Sequence, residues 1–492
     1  MLKEWTTHDE YERFVLDAIR ALDASSLKRL SLFDDSLRKL ALLNLDGLGE
    51  KLRSYYSMTG RPAVLQPEIF RSFVLMADRG ETSVTNWVKT LAADDMLCFL
   101  IGCNPQHLPS LGAYYDFISR LWLLRPSIEK ENREKLYRYG RKKKREVRPG
   151  KNKKLPNRRA GIVGRIANLF RKGRSFSNRP ERLMQEIFTL LAVEPSVESG
   201  LLPEDDLTVS GDGTCIHCHS SSLGIKICNC RENGIYDCKC DRKFADPEAN
   251  HGWDSDLENW YYGYTLYPVS YYNKELHIDL PLYWRFVGAN RHDSVTGLVA
   301  LTEFRALNPN LKIKNLCLDS ANDNYPTYQL LNDWGIRPFI DLNDKTGPKN
   351  TYPSHISLSD KGAPICIGGH EMVCNGFCPD RSRIKWRCPL ACGKIPDCFY
   401  IPDCSSSSYG RVIYTKPAWD IRLFTPVPRG TPEWKDTYKA RTSSERINNR
   451  FLHDYHLEDL RVRGKKRYSF FALIIGINIH LDARLKLEML HA

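Results

Sequence analysis

Apolar residues recur every three or four positions in Tyr11-Glu-Arg-Phe-Val-Leu-Asp-Ala-Ile-Arg-Ala-Leu and again in Pro67-Glu-Ile-Phe-Arg-Ser-Phe-Val-Leu-Met. That is the period of an amphipathic helix. Gly60-Arg-Pro punctuates the stretch between them. Residues 1–128 are therefore predicted to form a helical N-terminal domain, a scaffold or dimerisation unit. From about residue 205 the pattern changes to alternating strands and helices. Leu207-Thr-Val-Ser-Gly-Asp212 reads as a strand. Two more follow, from Tyr261 to Ser270 and from Glu275 to Val287, rich in aromatic and β-branched residues. A helix from Ser294, with serine as its cap, leads to a fourth strand, Ile313–Asp319. A helix over Tyr328–Trp334 leads to a fifth, Arg337–Asp341. Residues 205–345 are thus an α/β unit. A Cys-, Pro- and Gly-rich segment occupies 346–432, and 433–492 closes the chain with helices at about 433–458 and 467–490.

Charge adds a partner class. The 492 residues carry 72 Lys and Arg against 59 Asp and Glu, a formal net charge of +13. Within 129–204, a linker plus a helix, the excess is concentrated: Arg141, Lys142, Lys143, Lys144 and Arg145 are followed by Arg148, Lys151, Lys153, Lys154, Arg158 and Arg159. A long one-signed run between folded regions is suited to the phosphate backbone of double-stranded DNA, which it would position without reading sequence. The alternative is a solvated linker. The N-terminus is polar and acid-containing, unlike a signal peptide. The longest apolar run, Phe470–Ile479, is too short to span a bilayer. A cytoplasmic, nucleoid-associated protein with no membrane segment is expected.

Three acids stand out. Asp212 and Asp319 each end an apolar strand and precede small or polar residues, so a carboxylate can face solvent while its strand stays buried. Converging carboxylates repel one another unless cations neutralise them. Oxygen ligands with open positions suit Mg²⁺ or Mn²⁺, which in pairs activate a nucleophile and stabilise the leaving oxygen of a phosphodiester. Glu445 follows Tyr438 and Arg441 at spacings of seven and four, placing all three on one helix face. An arginine there can grip a phosphate. An ordinary i, i+4 ion pair is the alternative.

Asp212-Gly-Thr, Leu318-Asp319-Ser and Tyr438-x-x-Arg441-x-x-x-Glu445 together resemble the signature of insertion-sequence DDE transposases, in the branch with a Tyr-Arg-Glu-Lys motif. The resemblance covers about 205–490, and the strand order matches it. It implies an RNase H-like core interrupted by an insertion, with an all-helical domain in front. It implies Asp212, Asp319 and Glu445 as metal-binding catalytic residues, cleavage at terminal inverted repeats, and strand transfer into target DNA by a homodimer. Tyr438 and Arg441 would contact DNA. His292 and Asp293 would neighbour the active site, unless they serve only as a polar helix entry. The motif's lysine position holds Leu452, and Lys465 and Lys466 would be the candidates to take its place on DNA. A nuclease without strand transfer and a catalytically silent DNA-binding descendant share the same features.

Sixteen cysteines complete the picture. In a reducing compartment they point to metal rather than disulfides. Within the insertion, which also holds Cys366, His370, Cys398 and Cys404, the paired spacing of Cys374, Cys378, Cys388 and Cys392 suits a structural Zn²⁺. A second group follows the first acid: Cys215, His217, Cys218 and His219, then the tight pairs Cys228/Cys230 and Cys238/Cys240, which suit one thiolate-rich zinc site. Trp386 and Trp419, among Arg381, Arg383, Lys385, Arg387 and Arg411, offer rings on which a flipped base could stack, the alternative being an ordinary core or surface tryptophan.

Overall fold

The structure is a computed structural model that describes residues 1–2, 4–135, 137–138, 161–174, 179–343, 352–399 and 404–491. The basic run Arg141–Arg145, with Arg148, Lys151, Lys153, Lys154, Arg158 and Arg159, lies outside the described residues.

One mixed sheet organises the molecule. Its strands are β1 (Leu207–Gly211), β2 (Thr214–His217), β3 (Asn259–Asn273), β4 (Ile278–Gly288), β5 (Ile313–Leu318) and β6 (Arg337–Ile340). Across the sheet the order is β4, β3, β1, β5, β6. β1 runs antiparallel to β3, with Val209 opposite Tyr271, and parallel to β5, with Ser210 opposite Cys317. β6 is parallel to β5. β2 continues β1 along the same edge of β3, with Cys215 opposite Thr265, so Asp212 and Gly213 form a break in one line of strand. A short strand, Asn250–Asp254, pairs with the start of β3. The middle of β3 is buried on successive residues, Tyr264 to Ser270, because both faces of the sheet are covered.

Helix α1 (Asp293–Leu307) joins β4 to β5, and α2 (Tyr325–Asp333) joins β5 to β6. α1 starts one residue before the expected Ser294. Its N-cap is His292, whose ring accepts from the Ser294 backbone N–H at 3.3 Å. Ser294 is therefore not the cap. Its hydroxyl instead donates to the Ala321 carbonyl at 2.7 Å, tying the start of α1 to the exit of β5.

The N-terminal helices do not make a core of their own. They share one hydrophobic core with the sheet and with the closing helix α5, Lys465–His491. The apolar run Phe470–Ile479 is the centre of that core, with every apolar member at most 1 % exposed. Phe73 packs edge-on against Phe470 at 4.6 Å between ring centroids, and the Asn478 amide donates to the Val74 carbonyl at 3.2 Å. Buried Lys39 pairs with Asp78 at 2.5 Å and also with Asp482 of α5. No helix of the described residues is long and apolar enough to cross a membrane.

The Cys-rich insertion has a small core of its own around Met372, Ile384, Trp386 and Phe424. Its sheet is β7 (Val373–Cys378), β8 (Arg383–Arg387) and β9 (Val412–Thr415), all antiparallel. Two buried arginines fasten its far end to the main sheet. Arg422 Nε lies 2.8 Å from both oxygens of Asp323, and Arg429 donates to the Ile340 carbonyl at 2.9 Å and the Tyr328 hydroxyl at 2.7 Å. Beyond it the expected 433–458 helix is broken. α3 (Pro432–Tyr438) passes through a 3-10 turn at Lys439–Arg441 into α4 (Thr442–Asn449), and a π turn follows at Arg450–Asp454.

Candidate metal-binding carboxylate site and thiol cluster

β1 and β5 are parallel neighbours in register, so Asp212 and Asp319 leave the sheet at the same edge. The Gly213 backbone N–H donates to Asp212 Oδ1 at 2.9 Å, and the Asn322 amide holds Asp319 Oδ1 at 2.6 Å. Asp293, at the first position of α1, joins them. Its Oδ1 lies 2.5 Å from where a Cβ on Gly213 would stand, so residue 213 has no room for a side chain. The buried Tyr267 hydroxyl packs just as tightly against Gly211 and Gly297 beneath the site.

Electrostatics bears out the convergence. Burial, with the Asp319 and Asp293 carboxylates close by, pushes Asp212 up to about 7, against the opposing pull of Arg441. Burial and Asp319 also raise Asp293, which His292 partly offsets. Removing the charged form from water is the larger cause, and like-charge repulsion adds to it.

The helix after the insertion brings Arg441, and only through it Glu445. The Arg441 guanidinium bonds Glu445 Oε1 at 2.6 Å and also acts on Asp212. Glu445 is half exposed, 49 % by side chain, and forms the i, i+4 pair with Arg441. Its partner Arg441 is also the cation that acts on Asp212. Tyr438 donates to Asp341 Oδ2 at 2.7 Å and stacks on Trp434 at 4.4 Å. Burial, together with Asp341, holds its hydroxyl well above the ordinary tyrosine range. Asp341 carries the same sequence signal as Asp212 and Asp319, an acid ending an apolar strand. An open groove of about 800 Å³ runs beside α4, lined in part by Tyr272, Lys274, Asp436, Thr442 and Arg446. Its cations are balanced: Lys274 pairs with Asp436 at 2.8 Å and Arg446 with Asp279 at 2.6 Å.

Leu452, at the motif's lysine position, is partly buried against the main core. Lys465 and Lys466 do not replace that lysine on the surface. Lys465 reaches buried Glu181 at 2.8 Å, and Lys466 reaches Glu129 at 2.7 Å and Ser119 at 3.1 Å. Both ammonium groups are spent on joining α5 to the helices before the sheet. Trp386 is not a stacking surface either: it is 2 % exposed, and its indole N–H donates to Thr415 at 2.9 Å. Trp419 packs edge-on against Phe424. Arg383 and Arg387 lie over the Tyr414 and Tyr409 rings at 3.8 and 3.5 Å.

The cysteines resolve into distinct groups. Sγ atoms of Cys228 and Cys238, and of Cys230 and Cys240, are each 3.5 Å apart, and the four ligand atoms all lie within 4.8 Å of one another. A tetrahedron of Zn–S bonds near 2.3 Å has edges of roughly 3.8 Å, so the four thiols could hold a structural metal such as zinc. The Cys230 backbone N–H and the Cys238 thiol draw Cys228 down to about 7. The cluster sits at the base of a small sheet in which Asp241–Lys243 pairs with Ile225–Lys226 on one side and Tyr137–Arg138 on the other. Cys215, His217 and Cys218 stand apart: His217 bonds Asp254 at 3.0 Å and stacks on Tyr261, and Cys218 bonds Asp246 at 3.3 Å.

The expected quartet in the insertion does not assemble. Cys374 and Cys378 lie on β7, opposite Trp386 and Arg383, while Cys388 follows β8 and bonds the Arg411 carbonyl through its backbone at 2.9 Å. Among the described residues, Cys228, Cys230, Cys238 and Cys240 are the group with metal-site spacing. No family model matches this chain, and no curated protein matches it.

Proposed function

We propose that the chain is a DDE-type transposase that cuts and rejoins double-stranded DNA at the ends of an insertion sequence. One observation carries this reading: Asp212 and Asp319, far apart in sequence, leave adjacent parallel strands at one edge of the sheet, beside Asp293 and Arg441. The strand order β4, β3, β1, β5, β6 supports an RNase H-like core, with three antiparallel strands followed by two parallel ones.

Carboxylates at one end of the sheet offer the hard oxygen donors that a divalent cation takes. Burial and the neighbouring Asp319 and Asp293 carboxylates raise Asp212 to about 7, and a cation bound there would offset that repulsion. Asp212 and Asp319 would hold Mg²⁺ or Mn²⁺, with Glu445 completing the set once Arg441 turns from it to a DNA phosphate. The bound ions supply charge stabilisation for an in-line phosphodiester displacement. The chain's own residues orient the rest. Asn322 and the Gly213 N–H fix the two aspartates, and Arg441 offers a fork matched to a phosphate. Tyr438, anchored by Asp341, sets the position of that fork one turn away.

A direct test incubates the protein and Mg²⁺ with DNA carrying the ends of its own element. The wild type should nick and join, and Asp212→Asn and Asp319→Asn should do neither. Cleavage undiminished in those variants refutes the reading. Nicking without joined product would favour a nuclease. A second observation bears on the third acid: Asp293 already sits beside Asp212 and Asp319, and Glu445 does not. If Asp293→Asn abolishes cleavage and Glu445→Gln leaves it intact, the triad is Asp212, Asp293 and Asp319.

A further inference from the structure

The connection between β2 and β3 is folded without a core. No residue from Ser221 to Ala245 is buried. Leu223, Ile225, Ile227, Ile235 and Tyr236 are each about half exposed or more, so apolar burial does not hold this stretch together. Its strands are very short: Ile225–Lys226 pairs with Asp241–Lys243, which pairs in turn with Tyr137–Arg138. Backbone bonds in so small a sheet give marginal stability at best. Cys228 comes two positions after Lys226, and Cys240 directly before Asp241, so the thiols stand at the loop end of the antiparallel pair. There two Cys-x-Cys arms face each other. Cys228 Sγ lies 3.5 Å from Cys238 Sγ, and Cys230 Sγ lies 3.5 Å from Cys240 Sγ. The chain between the arms is folded back by a 3-10 turn at Asn229–Arg231 and by Gly234, whose φ of 75° lets the Ile235 N–H reach the Cys230 carbonyl at 2.8 Å.

We propose that Zn²⁺ bound by Cys228, Cys230, Cys238 and Cys240 takes the place of a hydrophobic core here. The metal builds the small three-stranded sheet, and so staples Tyr137–Arg138, which follows the N-terminal helices, to the connection between β2 and β3. The four ligand atoms already lie within 4.8 Å of one another. Four thiolates with no open position make a structural zinc centre rather than a catalytic one. Soft sulfur donors also select zinc over the hard ions that carboxylates take. Each thiol gives its proton to solvent as its sulfur–zinc bond forms, and no electrons move. The free energy of metal binding then serves as folding free energy for a segment that has little of its own. Its reach is long in sequence, because Tyr137 pairs with Arg242, two positions after Cys240. Arg141, the first residue of the basic run, comes three positions after Arg138, so the same metal fixes the point from which that run departs. This role does not depend on the DNA-processing reading.

The test counts metal in the full-length protein by elemental analysis. Wild type should carry one zinc per chain. Cys228→Ser with Cys238→Ser should carry none, while Cys374→Ser with Cys378→Ser should keep it. Hydrogen exchange then reads what the metal does. Chelation of the wild type should speed exchange by about tenfold or more at the backbone amides of 225–243 and of 137–138, with β1 and β5 unchanged. Protection kept in β1 and β5 shows that the rest of the chain is still folded. Wild type without zinc, or with iron in its place, overturns the assignment, as does zinc that survives in the Cys228→Ser, Cys238→Ser variant. Zinc whose removal leaves exchange at 225–243 and 137–138 unaltered overturns the role, because the sheet would then stand without it. Exchange that rises equally in β1 and β5 also overturns it, since the metal would then support the whole fold rather than this sheet.

Discussion

The carboxylate edge of the main sheet and the thiol groups around it answer opposite physical problems. At the sheet edge the scaffold is rigid and the ligands are unhappy. β1 and β5 are buried strands of a core that runs unbroken to α5, so Asp212 and Asp319 are held together whether or not a cation is present. The cost appears as a carboxyl pushed to about 7. In the Cys228 cluster four thiols gather on a weak scaffold of short strands. There a bound metal such as zinc could supply the cross-linking that so few strand residues do not. A site preformed by the core can favour a loosely held, exchangeable ion. A site that itself shapes the loops favours one that is never released.

That contrast can be broken most severely at the edge. Asp319→Asn should remove several kcal/mol of transition-state stabilisation, roughly a 10³-fold loss of DNA cleavage, with little change in melting temperature. An equal loss of both would mean that the acid is structural. Next in size is the shared core. Phe73→Ala should cost about 3–5 kcal/mol, and fluorescence and circular dichroism should report one coincident transition. Separate transitions would show that the N-terminal helices form an independent unit after all.

The thiol side predicts a local effect. Cys228→Ser with Cys238→Ser should leave the main sheet folded but open the 218–250 region to limited proteolysis. It should also weaken DNA binding at low salt, because the small sheet next to the cluster receives Tyr137–Arg138, just before the basic run. Unchanged protection from protease would separate the metal from the fold of that region.

The smallest effect is a pH dependence. Asp212 is raised in the folded chain, so it binds a proton there that the unfolded chain releases near pH 4. Its contribution is therefore fully present below about pH 4 and is lost as pH rises through about 7. Without divalent ions, Asp212→Asn should be more stable than wild type at pH 8 by on the order of 2 kcal/mol, less than the full shift implies because water and Arg441 relax around the charge. The gap should vanish at pH 4 and shrink with added Mg²⁺. A variant no more stable than wild type at pH 8 would mean that Arg441 already compensates the charge.

Much of the sheet was legible because strands and helices announce themselves through local periodicity. All five expected strands and both connecting helices occur, with ends shifted by a few residues. Residues whose roles depend on distant partners were less visible. The spacing Tyr438, Arg441, Glu445 put three side chains on one face, but did not show the guanidinium acting on both Glu445 and Asp212. Lys465 and Lys466 look like free cations until Glu181 and Glu129 are seen opposite them. Trp386 reads as exposed in a polar segment until β7 and β9 flank it.

By itself, then, the sequence determined the α/β order, the strand-end positions of Asp212 and Asp319, and the tight Cys228/Cys230 and Cys238/Cys240 pairs, since each follows from neighbours within a few residues. Only the tertiary structure decided that Asp293 joins the aspartates and that Arg441 acts on both Glu445 and Asp212. Those relations cross loops of tens of residues. Their geometry is set by sheet pairing and core packing, which no local pattern encodes.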